Sequence, residues 1–275
     1  MYSNSKNKMK VKRNENTAEL VGLSFGDGGL TYRSNSNRVK FQLRGHLIED
    51  REHYDNYIIP LFNKEIMFPL FSRNVGTVFN KRINFYGLSV ESVNIEESLN
   101  YLGIPSGVKG ELFIPNWIKK NKKHLLAFLR GFFDTDGSIF CQRNYSIKNN
   151  KFHTQVRIYL SCTSRGLIHN IYESLKLLGY KALIYSSKPS KGGKKNSYRV
   201  EICGGIQVNK WMNEISSKNP KHLTKYSVWK TFGFCPPYTS LELRKKILKK
   251  EISPYSCYTR MCRSGQTDKI KALVA

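Results

Sequence analysis

Leu129-Arg130-Gly131-Phe132-Phe133-Asp134-Thr135-Asp136-Gly137 is the stretch whose reading decides the fold. It closes a helical run, KKHLLAFLRGFFDTDG, and Asp-Gly is a strong helix stop. An earlier stretch, Leu20-Val21-Gly22-Leu23-Ser24-Phe25-Gly26-Asp27-Gly28, has the same pattern. Each has an apolar start, glycine in the third place, a small residue in the seventh, then Asp-Gly. Gly22 and Gly26 lie four apart on one helix face, as do Gly131 and Thr135. Small residues at that spacing let two helix backbones approach closely. The two Asp-Gly stops are 109 residues apart (136 minus 27). That period is too long for a solenoid and suits a duplicated domain.

The segments after each stop repeat as well. The first helix is expected to start at a capping Asn16 or Thr17. LTYRSN and NRVKFQLRG then alternate as strands around a polar turn. A helix runs from about Glu49 to Phe62, bent at Pro60. MFPLFSR and RINFYGLS read as strands, and SVNIEESLNYLGI as a helix ending near Gly103. After a connector rich in Pro and Gly the order restarts, with strands SIFCQRNYSI and HTQVRIYLSC, helix GLIHNIYESLKLLGY, strands KALIYSSKP and SYRVEICGG, and helix QVNKWMNEI. The expected organisation is an N-terminal arm (1–16), a first repeat (17–105), a linker (106–121), a second repeat (122–220) and a basic, aromatic-rich extension (221–275). Gly22 and Gly131 are packing residues of the repeat helices.

Composition sets limits on function. The 275 residues carry 46 Lys and Arg against 20 Asp and Glu, a net charge of +26, yet 40% are hydrophobic and 12% aromatic. Such a chain buries a real core, and its self-repulsion calls for a polyanionic partner, nucleic acid before membrane. Apolar runs such as Leu125–Leu129 are far too short to span a bilayer. The N-terminus has a positive flank but no apolar region behind it, so an intracellular protein is expected. Its six cysteines then read as thiols, and the loose Cys257/Cys262 spacing lacks a histidine partner for zinc. The charge is uneven. Residues 1–110 hold 15 basic and 11 acidic residues, residues 111–220 hold 19 and 6, and residues 221–275 hold 12 and 3. The acidic groups Glu49/Asp50/Glu52/Asp55 and Glu91/Glu96/Glu97 read as solvated helix faces.

The doubled motif and element order resemble the LAGLIDADG homing endonucleases, in the single-chain form with two motif copies. The resemblance covers about residues 17–218. It implies an α+β fold of two pseudo-twofold-related αββαββα repeats, with the motif helices packed at the centre and a saddle of antiparallel strands astride DNA. It further implies that Asp27 and Asp136 hold divalent metal, with the carbonyls of Gly26 and Thr135 completing the coordination. Physics agrees with that assignment. Two carboxylates across a helix pair repel, and each sits at the negative end of a helix dipole. Cations and phosphates resolve such a clash, and Mg²⁺ takes one or two carboxylates plus water and phosphate. The implied ions are two or three Mg²⁺ or Mn²⁺, with Ca²⁺ binding but not supporting cleavage. Asp134 matches the motif's earlier acid, replaced by Phe25 in the first copy, and reads as structural or solvent-facing.

Alternation along the strands marks a basic face. Arg38, Lys40, Gln42 and Arg44 oppose Val39, Phe41 and Leu43, with Arg33 on the preceding strand. Gln155, Arg157 and Tyr159 oppose Val156, Ile158 and Leu160, with Gln142 and Arg143 before them. Lys81 and Arg82 lead into RINFYG, and Arg199 and Glu201 alternate with Val200 and Ile202. Such ribbons suit a major groove, where Arg and Gln read guanine and adenine. Lys120, Lys122, Lys123, Lys188, Lys191, Lys194 and Lys195 suit phosphates. The family resemblance implies a catalytic basic residue near the metals. Arg44 is the candidate in the first repeat, whereas the matching strand of the second ends in Ser161-Cys162-Thr163 with Arg165 beyond.

The resemblance therefore implies a monomeric, site-specific nuclease that hydrolyses one phosphodiester per strand of a long, near-unique double-stranded DNA site. Its cuts are staggered, it promotes intron mobility, and it works in a prokaryotic cytoplasm or nucleoid or in an organelle. The same fold also serves RNA maturases and silent DNA-binding regulators. The charge distribution predicts more phosphate contacts on the second-repeat side and a steep loss of affinity with salt.

Overall fold

The computed structural model describes residues 11–32, 39–92, 94–146, 148, 150–189 and 195–258. Helix α1 (Glu15–Asp27) starts one turn earlier than the sequence predicts. Asn14, and not Asn16 or Thr17, is its cap, in a reciprocal capping box with Thr17. The chain passes from Asp27 straight into β1 (Gly28–Tyr32), which pairs antiparallel with β2 (Val39–His46). The helix stop is not a left-handed cap, since Gly28 is extended at φ −86°. Glycine is needed there because a Cβ would stand 2.6 Å from the Ser24 carbonyl oxygen.

MFPLFSR is helix, not strand. α2 (Arg51–His53), α3 (Ile59–Phe62) and α4 (Phe68–Phe71) form one unbroken run with π-turns at Tyr54–Ile58 and Asn63–Met67. Pro60 and Pro69 sit in the first turns after those bulges. The widened turns absorb the two missing N–H groups, so neither proline ends the helix. The strand expected there is β3 (Val78–Asn80), beside β4 (Phe85–Ser92). Helix α5 (Ile95–Leu102) ends at Gly103, which takes φ +100°.

A short helix, α6 (Asn116–Lys119), interrupts the connector before α7 (Lys122–Asp136). The second repeat continues with β5 (Gly137–Gln142), β6 (Gln155–Cys162), α8 (Arg165–Leu177), β7 (Ala182–Ser187), β8 (Ser197–Cys203) and α9 (Gly205–Glu214). The two sheets are antiparallel, ordered β1-β2-β4-β3 and β5-β6-β8-β7. The registers also agree, Gly28 facing Leu43 as Gly137 faces Leu160. The α+β duplication is thus exact in topology. Each sheet turns one face inward, with Val39, Phe41 and Leu43 buried in one and Val156, Ile158 and Leu160 in the other.

Helices α1 and α7 hold the repeats together. A Cβ on Gly22 would lie 2.2 Å from the Phe128 carbonyl oxygen, and one on Gly131 would lie 2.3 Å from that of Glu19. The stretch from Lys221 onward forms α10 (Pro220–Phe232) and α11 (Leu241–Leu248) and crosses both repeats. On the second repeat, Trp229 Nε1 donates to the Thr154 carbonyl (3.2 Å) and the Cys235 amide to that of His153 (3.2 Å). On the first, it meets the acidic group that the sequence reads as a solvated face. Asp50 is buried and bonded to Lys221 (2.8 Å), Glu49 pairs with the buried Arg244 (3.5 Å), and Glu52 with Lys245. Glu91 is likewise on a strand and not a helix, paired with Lys40 at 4.0 Å. The five described cysteines are free thiols, and Cys262 lies outside the described residues. Among the described residues no helix is long and apolar enough to cross a membrane.

Candidate active site

The close helix pair brings its two C-terminal ends together. A Cβ on Gly26 would lie 2.1 Å from Thr135 Oγ1 and 3.2 Å from the Asp136 carboxyl carbon. Asp27 and Asp136 therefore lie side by side where the two helices end, each half-buried. Burial is the main cause that lifts Asp27, to about 8, and the neighbouring charges of Asp136 and Asp50 add to it. Burial lifts Asp136 to about 6. Repulsion between the two acids, the expectation from sequence, is thus the second cause and not the first.

Two lysines oppose this. Lys109 Nζ donates to the carbonyls of Phe25 (2.8 Å) and Gly26 (2.7 Å), capping the negative end of α1. Its charge favours ionisation of both acids, while burial draws its own pKa down. Lys221 acts on both acids in the same sense and is held by Asp50. Sequence reasoning missed both. Lys109 lies in a stretch read as linker, and Lys221 at the head of a stretch read as an extension. No periodicity marks either one.

Asp134 is buried and structural. Its Oδ1 accepts from Ser217 Oγ (2.5 Å) and its Oδ2 from the Lys218 amide (2.7 Å), while Asn219 Nδ2 bridges its carbonyl to Asp50 (3.0 Å each). These bonds clamp the chain entering α10 against the end of α7, which places Lys221. Burial raises Asp134 to about 7 and lowers the adjoining His53 to about 3, which suits the weak 3.6 Å approach between them.

The strand residues share a face as the alternation predicts. Lys40 and Gln42 are half-buried and Arg44 exposed on β2; Gln42 donates to Ser89 Oγ (3.3 Å). The Arg44 guanidinium bonds Gln42 and lies 5.8 Å from the Phe85 ring centre. Lys109 and Lys221 bear on Asp27 and Asp136. Lys81 and Arg82 are exposed in the β3–β4 turn. Gln142 and Gln155 face each other at the end of β5 and β6, and Arg143 Nε donates to the Asn150 carbonyl (2.5 Å). Arg157 and Arg199 both pair with Glu201. Lys188 and Lys195 are exposed between β7 and β8; Arg33, Arg38, Lys191 and Lys194 lie outside the described residues. Lys120, Lys122 and Lys123 sit at the N-terminal end of α7. At 1.5 Å per residue that is about 20 Å from Asp136, at the far end of α7.

The donor set fits a hard divalent cation. Two carboxylates held partly un-ionised by burial gain directly from one, and Mg²⁺ asks for no more than one or two. Among the described residues no group of three or more His, Cys, Asp or Glu gathers as a closed metal cage.

Fold and site together define a duplicated α+β protein with a pair of carboxylates where its two motif helices end together. Residues 123–216 match the family described as LAGLIDADG-like domain. The match falls within the second repeat, whose strand order and motif helix the first repeats. Among solved structures, the chain is similar to the homing endonuclease I-WcaI bound to its DNA recognition sequence, with 15% identity, TM-score 0.45, and coverage of 78% of this chain and 89% of that one. It is also similar to the N-terminal LAGLIDADG domain of DUF199/WhiA, with 13% identity, TM-score 0.44, and coverage of 76% and 84%. No curated protein matches.

Proposed function

We propose that this protein is a site-specific DNA endonuclease that breaks both strands of a long target, leaving staggered ends, in the service of intron mobility. The observation that carries the reading is the meeting of the two acids. Two acids, one from each motif helix, and two lysines converge between two sheets that each present basic and amide side chains outward. Asp27 and Asp136 would hold Mg²⁺ or Mn²⁺. Bound divalent cations supply positive charge to a scissile phosphate and to the water that attacks it. Lys109 and Lys221 add fixed positive charge beside the acids, where negative charge builds in phosphoryl transfer. The strand faces bind the duplex, and the single chain supplies both halves of the site, so it works as a monomer.

The test is incubation of a duplex library with the protein and Mg²⁺, followed by mapping of cut ends. Site-specific double-strand cuts are expected, lost in Asp27→Asn and Asp136→Asn while duplex binding persists. Binding without cutting, or preference for intron RNA over every duplex, overturns the nuclease reading.

A further inference from the structure

On the outward face of the second sheet, Glu201 is a carboxylate where a DNA-binding surface should avoid one. It is only 3% exposed. Its Oε1 takes Arg157 NH1 at 2.5 Å, its Oε2 takes Arg199 NH2 at 3.4 Å, and the Cys203 thiol adds a contact at 3.4 Å. The registers put Tyr159, Glu201 and Leu183 abreast on adjacent strands, and Arg199 beside Tyr185. The Arg199 guanidinium carbon lies 5.8 Å from the Tyr159 ring centre and 5.2 Å from that of Tyr185. Arg199 is thus fixed by one carboxylate and two rings, and Arg157 by the other oxygen. Their side chains keep 27% and 45% exposure for Arg157 and Arg199 respectively, although Arg157 Nε is buried.

The first sheet carries its carboxylate elsewhere, with Glu91 opposite Lys40 at 4.0 Å. Matching the registers sets Gln42 against Tyr159 and Ser89 against Glu201. Ser89 is neutral and accepts from Gln42 at 3.3 Å. A carboxylate at this register, shared by two arginines, therefore distinguishes the second half. It also works against non-specific affinity. Two free arginines would bind phosphates more strongly than two arginines sharing a glutamate. What the glutamate provides is a fixed direction for two planar forks, and direction is what bidentate reading of a guanine edge requires.

We propose that Glu201 is a specificity-determining positioning residue. It presets Arg157 and Arg199 to read guanine O6 and N7 on adjacent base pairs of the half-site under the second repeat, which makes that half-site the more stringent one. This rests on the duplex-binding reading above.

The test selects bound duplexes from a pool randomised across the footprint, without requiring cleavage, for the wild type and for Glu201→Gln. The wild type should prefer guanine at positions on one side. Glu201→Gln should lose that preference by about tenfold, keep the preferences of the other half, and bind arbitrary duplex about threefold more tightly. Arg157→Lys and Arg199→Lys keep the charge but not the fork, and should lose the same positions. They carry the test if Glu201→Gln fails to fold. A variant with the wild-type profile, or one that loses both halves evenly, overturns the role of Glu201. A wild type that selects no sequence overturns the duplex-reading function itself, and the two failures are distinct.

Discussion

The closeness of α1 and α7 can be tested with one methyl group. In Gly131→Ala the new Cβ would lie 2.3 Å from the Glu19 carbonyl oxygen and 3.0 Å from the Leu23 amide nitrogen. Both are backbone atoms inside a helix and cannot rotate away. Relief to an ordinary contact requires the helices to part by about 1 Å, at the level where Phe25 and Phe128 pack edge to face at 5.5 Å. Overpacking of this kind costs about 1–3 kcal/mol, and a rigid backbone clash belongs at the upper end. In a chain of this size each kcal/mol shifts Tm by about 2–4 °C, so a fall of about 5–10 °C is expected. Gly22→Ala, 2.2 Å from the Phe128 carbonyl, should behave alike. The double variant should cost clearly less than the sum, because the first methyl has already opened the space for the second. Urea denaturation of the four proteins gives the cycle. Single variants with wild-type stability, or strictly additive losses, refute the claim that the two glycines share one tight interface.

Other consequences follow from the charges. Asp27 is held at about 8, above its unfolded value, so the folded protein keeps a proton and loses stability as pH rises from about 4 to about 8. In chelator, Asp27→Asn should therefore match the wild type near pH 4 and exceed it above pH 8, by on the order of 2 kcal/mol after allowance for solvent at a half-buried site. Thermal melts across pH decide this, and a gap independent of pH speaks against it. Arg244 is 1% exposed and donates to Thr224, Thr239, Lys221 and Glu49. Arg244→Ala should cost about 3–5 kcal/mol by stranding those partners, whereas the exposed Lys246→Ala should stay within about 0.5 kcal/mol. Equal effects in a denaturation series would contradict the docking of α10 and α11 on the first repeat. Asp50→Asn should lower cleavage of a mapped target at saturating Mg²⁺ while leaving KM for duplex near wild type, because it releases Lys221 without touching the strand faces; a change confined to KM would place Asp50 in binding instead.

The motif helices, the strand pairs and the two acids were legible because each leaves a local mark. A small residue every fourth place, an alternating strand and an Asp-Gly stop all follow from backbone geometry. MFPLFSR was not legible. Pro60 reads as a bend near the end of one helix and the apolar stretch around Pro69 as a strand, whereas a π-bulge ahead of each proline lets one helix absorb both. Lys109, Asp50, Asn219 and Lys221 were not legible for another reason. They reach the site from three separate places in the chain, and the meeting of Asp50, Asn219 and Lys221 depends on how α10 docks. Asp134 shows the boundary between the two cases. Its place in the motif was plain, but its partners Ser217, Lys218 and Asn219 are more than eighty residues away.

The net charge of +26 acquires a different meaning from these contacts. Counted along the chain, the stretch from 221 onward adds 12 bases against 3 acids and looks like a reservoir for phosphates. Three of those bases, Lys221, Arg244 and Lys245, are instead committed to Asp50, Glu49 and Glu52 of the first repeat. The acids that seem to make the first repeat nearly neutral are the same ones. Both counts therefore mislead in the same direction. Once the internal pairs are removed, the first repeat is left more basic than its sequence suggests and the tail less so. A phosphate footprint should accordingly be more even between the halves than the linear charge predicts. Protection of the phosphate backbone from hydroxyl radicals on a mapped target distinguishes the two: near-equal protection on both sides supports internal pairing, and protection weighted strongly to the second-repeat side would mean that the tail gives its cations to DNA after all.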